Sequence, residues 1–170
     1  MNRAFLFSLV FLSLQVQAAF KLKPGLWEVE TTTSVNGKTH DSQGQMQEMM
    51  KKMTPAQRAQ MEKMMGSKGM AFGDKGMKVC HTEKSMSDEA LVHDPKSKCK
   101  ITDKKDLADG VRFNVQCDKG SGMAEYHRTS DTAYSGWNEF TTAKGKSRME
   151  FKGKFLSNNC GDVKPLTEVK

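Results

Sequence analysis

Hydrophobic and polar residues alternate along most of the chain beyond residue 20, with the period of two that a β-strand shows when one of its faces is buried. Strands are predicted at residues 27–33, 111–117 and 147–155, where the alternation is clearest, and also at 123–128 and 133–142. Asn36-Gly37 is a strong short hairpin signal. The pattern therefore predicts a mainly β fold, an antiparallel meander that forms either a curved sheet or a small barrel.

The segment between Cys99 and Cys117 predicts its own pairing register. A hairpin that turns at Ala108 places these residue pairs on one face: Cys99 with Cys117, Ile101 with Val115, and Asp103 with Phe113. This register predicts a cross-strand disulfide between Cys99 and Cys117. The chain has four cysteines, so Cys80–Cys160 is predicted as the second disulfide by elimination.

Residues 44–66 depart from the alternation and are predicted to form a helical insertion. Methionines recur here at the i, i+3, i+4, i+7 spacing of one helix face. We call the following residues the methionine face: Met46, Met49, Met50, Met53, Met61, Met64 and Met65. Thr54, Pro55 and Gln57 are typical of a helix start, so the insertion is read as a helical hairpin. The glycine-rich residues 67–77 are predicted to be a flexible return to the sheet.

Residues 1–18 have the pattern of a removable signal peptide. Arg3 precedes a short apolar run, and Val16-Gln17-Ala18 is a small-residue cleavage site. The apolar run is too short to span a bilayer, which needs about 20 residues. We therefore expect a periplasmic or secreted protein that is not an integral membrane protein, with residues 19–170 forming a single β domain. Two disulfides suit such an oxidising compartment.

The formal net charge of +7 favours acidic partners. Two basic sets are apparent. The first lies on the predicted outer face of the strand at 147–155 and consists of Lys146, Arg148, Lys152 and Lys154. The second consists of Lys96, Lys98, Lys100, Lys104 and Lys105. Such residues either protect exposed strands from aggregation or attract anionic envelope lipids. A nucleic-acid partner is not expected, because the aromatic residues Phe151 and Phe155 alternate onto the inner face.

No motif specifies a reaction, so no catalytic residue is assigned. Paired metal-ligand spacing is absent among the four histidines: His40, His81, His93 and His127. The chain has no Cys-x-x-Cys, no phosphate loop and no His-Glu-x-x-His. Cys80 and His81 are strand neighbours, so their side chains are expected on opposite faces. Trp27 and Trp137 are expected in the core or at a barrel rim.

Several short motifs resemble a bacterial secreted family that is known only as a domain of unknown function, number three-six-one-seven. The resemblance is carried by these segments: residues 23–29 (Lys-Pro-Gly-Leu-Trp-Glu-Val), residues 55–62, Cys80 with Thr82 and Glu83, residues 99–101, Cys117 and a last cysteine near the C-terminus. The last cysteine of the family usually follows Gly-Asp, whereas Cys160 precedes Gly161-Asp162 here. The resemblance implies a Gram-negative envelope location and no activity.

The methionine face allows three interpretations. Its side chains pack the hairpin onto the sheet as core, or they form a deformable apolar surface for a lipid-like ligand or an envelope protein. Alternatively, thioethers of Met49, Met50, Met61 and Met64 bind Cu(I), which soft sulfur ligands select. We predict a non-catalytic exported protein, without a cofactor, that binds a lipid-like ligand or partner through this face. The first alternative is Cu(I) binding by these methionines. The second alternative is a small enzyme whose site cannot be seen in the sequence.

Overall fold

The computed structural model describes residues 20–83 and 98–165. The predicted signal peptide at 1–18, His93 and Lys96 lie outside these residues. Within them the chain forms nine strands and two helices: β1 Gly25–Val35, β2 Lys38–His40, α1 Ser42–Lys52, α2 Pro55–Ser67, β3 Met70–Phe72, β4 Met77–His81, β5 Lys100–Asp106, β6 Gly110–Cys117, β7 Gly120–Ser130, β8 Ala133–Thr142 and β9 Gly145–Ser157.

The nine strands belong to one antiparallel sheet with the order β3-β4-β1-β9-β8-β7-β6-β5, and β2 pairs with β1 as a short hairpin. Strands β5 to β9 follow one another as the predicted meander. Strand β9 then pairs with β1, which joins the two ends of the described chain. The mainly β antiparallel fold is confirmed. Of its two forms, the barrel is wrong, because β3 and β5 end the strand order as opposite edges of an open sheet.

The β5–β6 hairpin follows the predicted register only at its open end. Ile101 pairs with Val115, but the register shifts between Thr102 and Lys105. Asp103 has a positive φ of 48° and does not face Phe113, so that predicted pair is wrong. Phe113 is buried in the core, where an ionised carboxylate opposite it would lose its hydration. Asp103 instead accepts a hydrogen bond of 3.0 Å from Asn114 Nδ2.

Two disulfides lie near opposite edges of the open sheet. Cys99 is bonded to Cys117 beside the β5–β6 hairpin, and Cys80 of β4 is bonded to Cys160 beyond β9. This is the pairing that the hairpin register and elimination predict. The described residues contain no free cysteine.

The core lies on one face of the sheet and is centred on Trp27, which is 0% exposed. Tyr134 and Phe151 pack around it from β8 and β9, together with Leu22 from the segment before β1. The Trp27 indole Nε1 donates a hydrogen bond of 2.8 Å to the Lys23 carbonyl, so the buried N–H has a partner. A second buried cluster contains Phe113 and continues the core towards β5.

Two glycines make room for these aromatic side chains. Gly153 of β9 lies opposite Tyr134 of β8, and Gly136 of β8 lies opposite Phe151 of β9. A Cβ at either glycine would overlap the ring of its partner. The two aromatic rings therefore lie over the glycines of the neighbouring strand, and this reciprocal packing fixes which face of β8 and β9 is buried.

The two helices begin with the caps that their sequences specify. The Asp41 carboxylate accepts from the Gly44 backbone N–H at the start of α1. Thr54 and Gln57 form a reciprocal capping box at the start of α2, with Pro55 in its first turn. The Arg58 guanidinium donates to the Met50 carbonyl at 3.0 Å, which links the two helices.

The return from the hairpin is more ordered than its composition suggests. The sequence predicts a flexible segment at 67–77, but this segment contains β3, which pairs with β4. Beyond β3, Gly73 N–H donates to the Gly76 carbonyl at 2.8 Å, and Lys75 N–H donates to Glu28 Oε1 at 3.0 Å. Backbone groups here have sheet or side-chain partners, and these outweigh the conformational freedom of the glycines.

Candidate functional site

The methionine face lies on the surface of the hairpin and contributes nothing to the buried core. Helix α1 contacts β1 and helix α2 contacts β3, and α2 has no buried residue. The two described helices do not pack along each other, so the predicted helical hairpin is two consecutive helices joined at Met53-Thr54, a pair for which we keep the name hairpin. Met49 is 40% exposed and Met64 is 50% exposed. The other five methionines of the face are partly buried: Met46, Met50, Met53, Met61 and Met65. Their partial burial leaves part of their apolar surface open to solvent.

Histidine, cysteine and carboxylate ligands are not gathered in the part of the chain that the structure describes. It has no group of three or more His, Cys, Asp or Glu side chains that could hold a metal ion. Cu(I) binding would instead use the thioethers of Met49, Met50, Met61 and Met64, and it stays a prediction. Within each helix the i, i+3 and i+4 spacings keep neighbouring sulfurs on one side.

Two of the four residues of the basic set on β9 are paired with carboxylates. Lys146 Nζ lies 2.8 Å from Glu139 Oε1, and the Arg148 guanidinium lies 2.9 Å from Glu150 Oε1. Lys152 and Lys154 of the same strand are exposed. The partner Glu139 is on β8, so its ion pair with Lys146 depends on strand adjacency and not on the sequence of β9.

The second basic set is also partly paired. Lys98 lies 3.9 Å from Asp118, and Lys104 lies 4.0 Å from Asp106. Both pairs are exposed, and exposed pairs contribute at most about 1 kcal/mol. Lys100 and Lys105 are exposed on β5, an edge strand, where cations also oppose pairing with another chain.

A cavity of about 420 Å³ lies on the polar face of the sheet, opposite the aromatic core. We call it the outer groove. Four adjacent strands, β1, β9, β8 and β7, contribute its lining: Glu30, Thr32, Glu125, His127, Ser135, Gly136, Trp137, Arg148, Glu150, Phe151 and Lys152. Its volume is within the range typical of small-molecule sites. Sequence reasoning missed this groove because the alternation does not show that β1 pairs with β9, which brings Glu30 and Thr32 beside Lys152 and Glu150.

Trp137 lines the outer groove, which corrects its expected place in the core or at a barrel rim. Its neighbours on β8, Gly136 and Asn138, belong to the opposite row of side chains. The Arg148 guanidinium carbon lies 4.4 Å from the centre of the Trp137 ring, a cation–π contact. Trp137 therefore forms part of a polar surface, whereas Trp27 has the core position expected for both.

One wall of the groove is a chain of ion pairs. The Arg112 guanidinium and the His127 ring both bond to the carboxylate of Glu125, the latter at 2.7 Å. His127 Nδ1 lies 3.1 Å from Asp109 Oδ1. Ionised carboxylates only accept hydrogen bonds, so this geometry requires both ring nitrogens of His127 to donate.

The pKa values of this wall move in matching directions. Hydrogen bonds from Arg112 and then His127 lower the pKa of Glu125. Hydrogen bonds to Glu125 and then Asp109 raise the pKa of His127. The protonated form of His127 is thus favoured in the folded state. This contribution to stability is present below the unfolded pKa of histidine and is lost as the pH rises through the raised pKa of His127.

His81 is a second perturbed histidine, on the opposite face of the sheet. Burial lowers the pKa of His81 to about 4, so its ring is neutral at pH 7. Its Nε2 lies 3.3 Å from the Tyr134 hydroxyl, and its buried Nδ1 has no hydrogen-bond partner among residues 20–83 and 98–165. Cys80 is disulfide-bonded, so the Cys80-His81 pair offers no thiol nucleophile.

The helices of the described segments are too short and too polar to cross a bilayer. The disulfides are typical of an oxidising compartment outside the cytoplasm.

Comparison with known proteins identifies the family. The chain belongs to the family described as protein of unknown function DUF3617, whose family model matches residues 22–160. It is also 36% identical over 111 residues to a Pseudomonas putida protein described as "Uncharacterized protein in lpd-3 5'region". That match covers 62% of this chain and 77% of the relative. No solved structure matches the chain. The resemblance read from the motifs is therefore confirmed at the level of the family.

Proposed function

We propose that this DUF3617 protein is an exported, non-catalytic binding protein whose methionine face binds lipid. The ligand we propose has an apolar acyl chain next to an anionic headgroup. A single lipid bound as a ligand and the surface of an envelope membrane both present it. The observation that carries the proposal is the solvent exposure of Met49 on α1 and Met64 on α2, two helices that add no residue to the buried core.

Methionine suits this role because its unbranched thioether side chain adapts to irregular apolar partners. Exposed Leu or Phe at these positions would serve a fixed pocket better. Met49 and Met64 are the most exposed methionines of the two helices, one on each helix. Exposed apolar strips that a fold does not need for its own packing mark interaction sites.

Charge on the hairpin supports an anionic partner. Residues 42–68 carry five cationic side chains and two carboxylates: Lys51, Lys52, Arg58, Lys63, Lys68, Glu48 and Glu62. Basic helices with an apolar face bind membrane surfaces through the combination of apolar burial and attraction to anionic lipids. Helix α1 separates its apolar and polar side chains into two faces more clearly than α2 does. Lys51 is paired with Glu48 at 2.7 Å, which still leaves the hairpin with net positive charge.

Native mass spectrometry, with vesicle co-sedimentation, is the first test. The protein is exported with its own leader from a Gram-negative host and analysed without delipidation. A bound mass of lipid size supports a lipid ligand. A bare mass, together with sedimentation on phosphatidylethanolamine–phosphatidylglycerol vesicles, supports the membrane surface. A bare mass and no sedimentation contradict the proposal, and so does the capture of a protein partner in place of lipid.

A matched pair of variants localises the binding. Met49→Gln with Met64→Gln should weaken lipid binding about tenfold, because apolar contact area is replaced by amides that must be desolvated. Met123→Gln with Met149→Gln is the control, since Met123 is 38% exposed and Met149 is 37% exposed on strands outside the hairpin. Equal loss in both double variants would show that the hairpin is not the site.

Leucine replacements separate lipid binding from copper binding. Met49, Met50, Met61 and Met64 are changed to Leu together, which keeps apolar surface and removes the soft sulfur ligands. The proposal expects lipid binding to persist. Loss of lipid binding in this variant, together with tight Cu(I) binding by the unmodified protein, would favour the copper alternative.

A further inference from the structure

We infer that the outer groove is a second binding site, independent of the hairpin, and that it takes a neutral, polyhydroxylated ligand such as a saccharide. The groove occupies the polar face of the sheet, whereas the proposed lipid site is on the helices. Its assignment rests on the side chains that converge there.

The groove is built from two parallel rows that cross four strands. The register aligns the first row as Glu30, Lys152, Ser135 and His127, and the second as Thr32, Glu150, Trp137 and Glu125. Side chains within a row lie on neighbouring strands, about 5 Å apart, and point to the same face. The small Ser135 next to these longer residues leaves the space that the cavity occupies.

Part of the lining is held in place before any ligand arrives. Glu125 is fixed by Arg112 and His127, and it is only 9% exposed. Arg148 is fixed between the ring of Trp137 and the carboxylate of Glu150. Groups that are already ordered add less entropic cost when a ligand binds, which is the basis of a preformed site.

Another part of the lining has polar side chains without partners. Glu30, Thr32, Ser135 and Lys152 make no side-chain hydrogen bond or ion pair to any residue of 20–83 or 98–165. They offer one carboxylate, one ammonium group and two hydroxyl groups at the same cavity. A ligand with several hydroxyl groups can donate to the carboxylate and accept from the ammonium group.

The charges of the groove argue against a strongly ionic ligand. Three carboxylates, those of Glu30, Glu125 and Glu150, lie in the groove with the cations Arg148 and Lys152. The His127 ring has a carboxylate within hydrogen-bond distance of each of its nitrogens. An anionic ligand would meet the carboxylates, and a cationic ligand would meet the cations. The planar Trp137–Arg148 stack adds a surface that can pack against the C–H groups of a sugar ring. A neutral polyol satisfies all three features.

The two tryptophans provide a direct test with an internal control. Indole N–H signals of the full protein are followed by NMR during titration with neutral disaccharides, namely maltose, lactose and diacetylchitobiose. We expect the Trp137 signal to shift saturably for at least one disaccharide. The Trp27 signal should stay in place, because Trp27 is 0% exposed and its N–H is bonded to the Lys23 carbonyl.

Variants and charged probes complete the experiment. Glu30→Gln should weaken binding at least about tenfold, since hydrogen bonds to a charged group are the stronger ones. Thr141→Val, on the same face of β8 but outside the groove, should not change it. No shift with any disaccharide would overturn the inference. Shifts caused only by glycylglycine, a zwitterion, or only by galacturonate, an anion, would do so as well. If the protein does not bind lipid, these disaccharide titrations still test the groove, because they do not depend on the helices.

Discussion

The aromatic core of the sheet and the methionine hairpin are stabilised in different ways. The core around Trp27 combines buried rings and close glycine–aromatic contacts, and two disulfides cross-link the sheet that carries it. The hairpin has end caps, one link from Arg58 to the Met50 carbonyl, and half-buried methionines. It also lies outside both covalent loops, because residues 42–67 precede the first cysteine of each disulfide.

This difference indicates that the two regions respond differently to change. A segment with few buried contacts opens locally at low free energy, whereas a core residue opens only with the whole sheet. A binding surface gains from such local freedom, since it can adapt to an irregular partner.

The disulfides should stabilise the sheet according to the length of chain they enclose. The separations are 80 residues for Cys80–Cys160 and 18 residues for Cys99–Cys117. Replacing both cysteines of a pair by Ser should lower the free energy of unfolding by about 4–5 kcal/mol for the long loop and about 3 kcal/mol for the short one. Urea unfolding followed by Trp fluorescence measures both values. Equal losses would contradict the loop-length argument.

Truncation of core and hairpin side chains should give contrasting results. Trp27→Ala should cost about 3–5 kcal/mol, because it leaves a cavity where a fully buried ring was packed. Met64→Ala should cost less than about 1 kcal/mol, because that side chain is half exposed. Thermal unfolding of the two variants provides the comparison. Similar shifts in melting temperature would mean that the Met64 side chain contributes as much to the stability of the fold as Trp27, which would contradict the contrast.

Adding one methyl group should destabilise the sheet and stabilise the hairpin. Gly153→Ala should cost about 1–3 kcal/mol, because its Cβ would overlap the Tyr134 ring. Gly66→Ala in α2 should add about 0.5–1 kcal/mol to helix stability, since a Cβ there would meet nothing within 4 Å. Denaturant unfolding and helix content by circular dichroism distinguish the two. A neutral Gly153→Ala would weaken the glycine–aromatic explanation of the buried face.

Removal of the helix cap should have the smallest and most local effect. Thr54→Ala removes the oxygen that accepts from the Gln57 backbone N–H and should destabilise α2 by about 1 kcal/mol. Amide hydrogen exchange should accelerate in α2 and stay unchanged in β1 and β9. Thr54→Ser, which keeps the oxygen, is the control. Faster exchange throughout the sheet would show that hairpin and core unfold together.

Local patterns in the sequence were sufficient for the hairpins, the helix starts and the disulfides. The alternation around Cys99 and Cys117 placed both cysteines on one face, and the structure bonds them. Thr54, Pro55 and Gln57 form the capping box that their spacing predicts. These features depend on contacts between residues close together in the chain, or on a single hairpin turn, which is why a sequence pattern can specify them.

The same patterns were misleading at Asp103 and Trp137. Strict alternation placed Asp103 opposite the buried Phe113, but the register shift moved it out. Alternation also leaves open which face of β8 is buried, because Tyr134 and Phe140 lie on one face and Trp137 on the other. Tyr134 over Gly153 and Phe151 over Gly136 decide it, and those pairs exist only when β8 lies beside β9.

The sequence by itself determined the family, the mainly β fold, the cysteine pairing and the two methionine-rich helices. Only the tertiary structure decided that the sheet is open, that the methionines stay at the surface, and that four strands build a groove around Trp137. The pairing of β1 with β9 brings together residues that are more than 100 positions apart, such as Glu30 and Lys152. Such contacts depend on which strands become neighbours and on the packing of whole side-chain rows, and the local alternation of residues records neither.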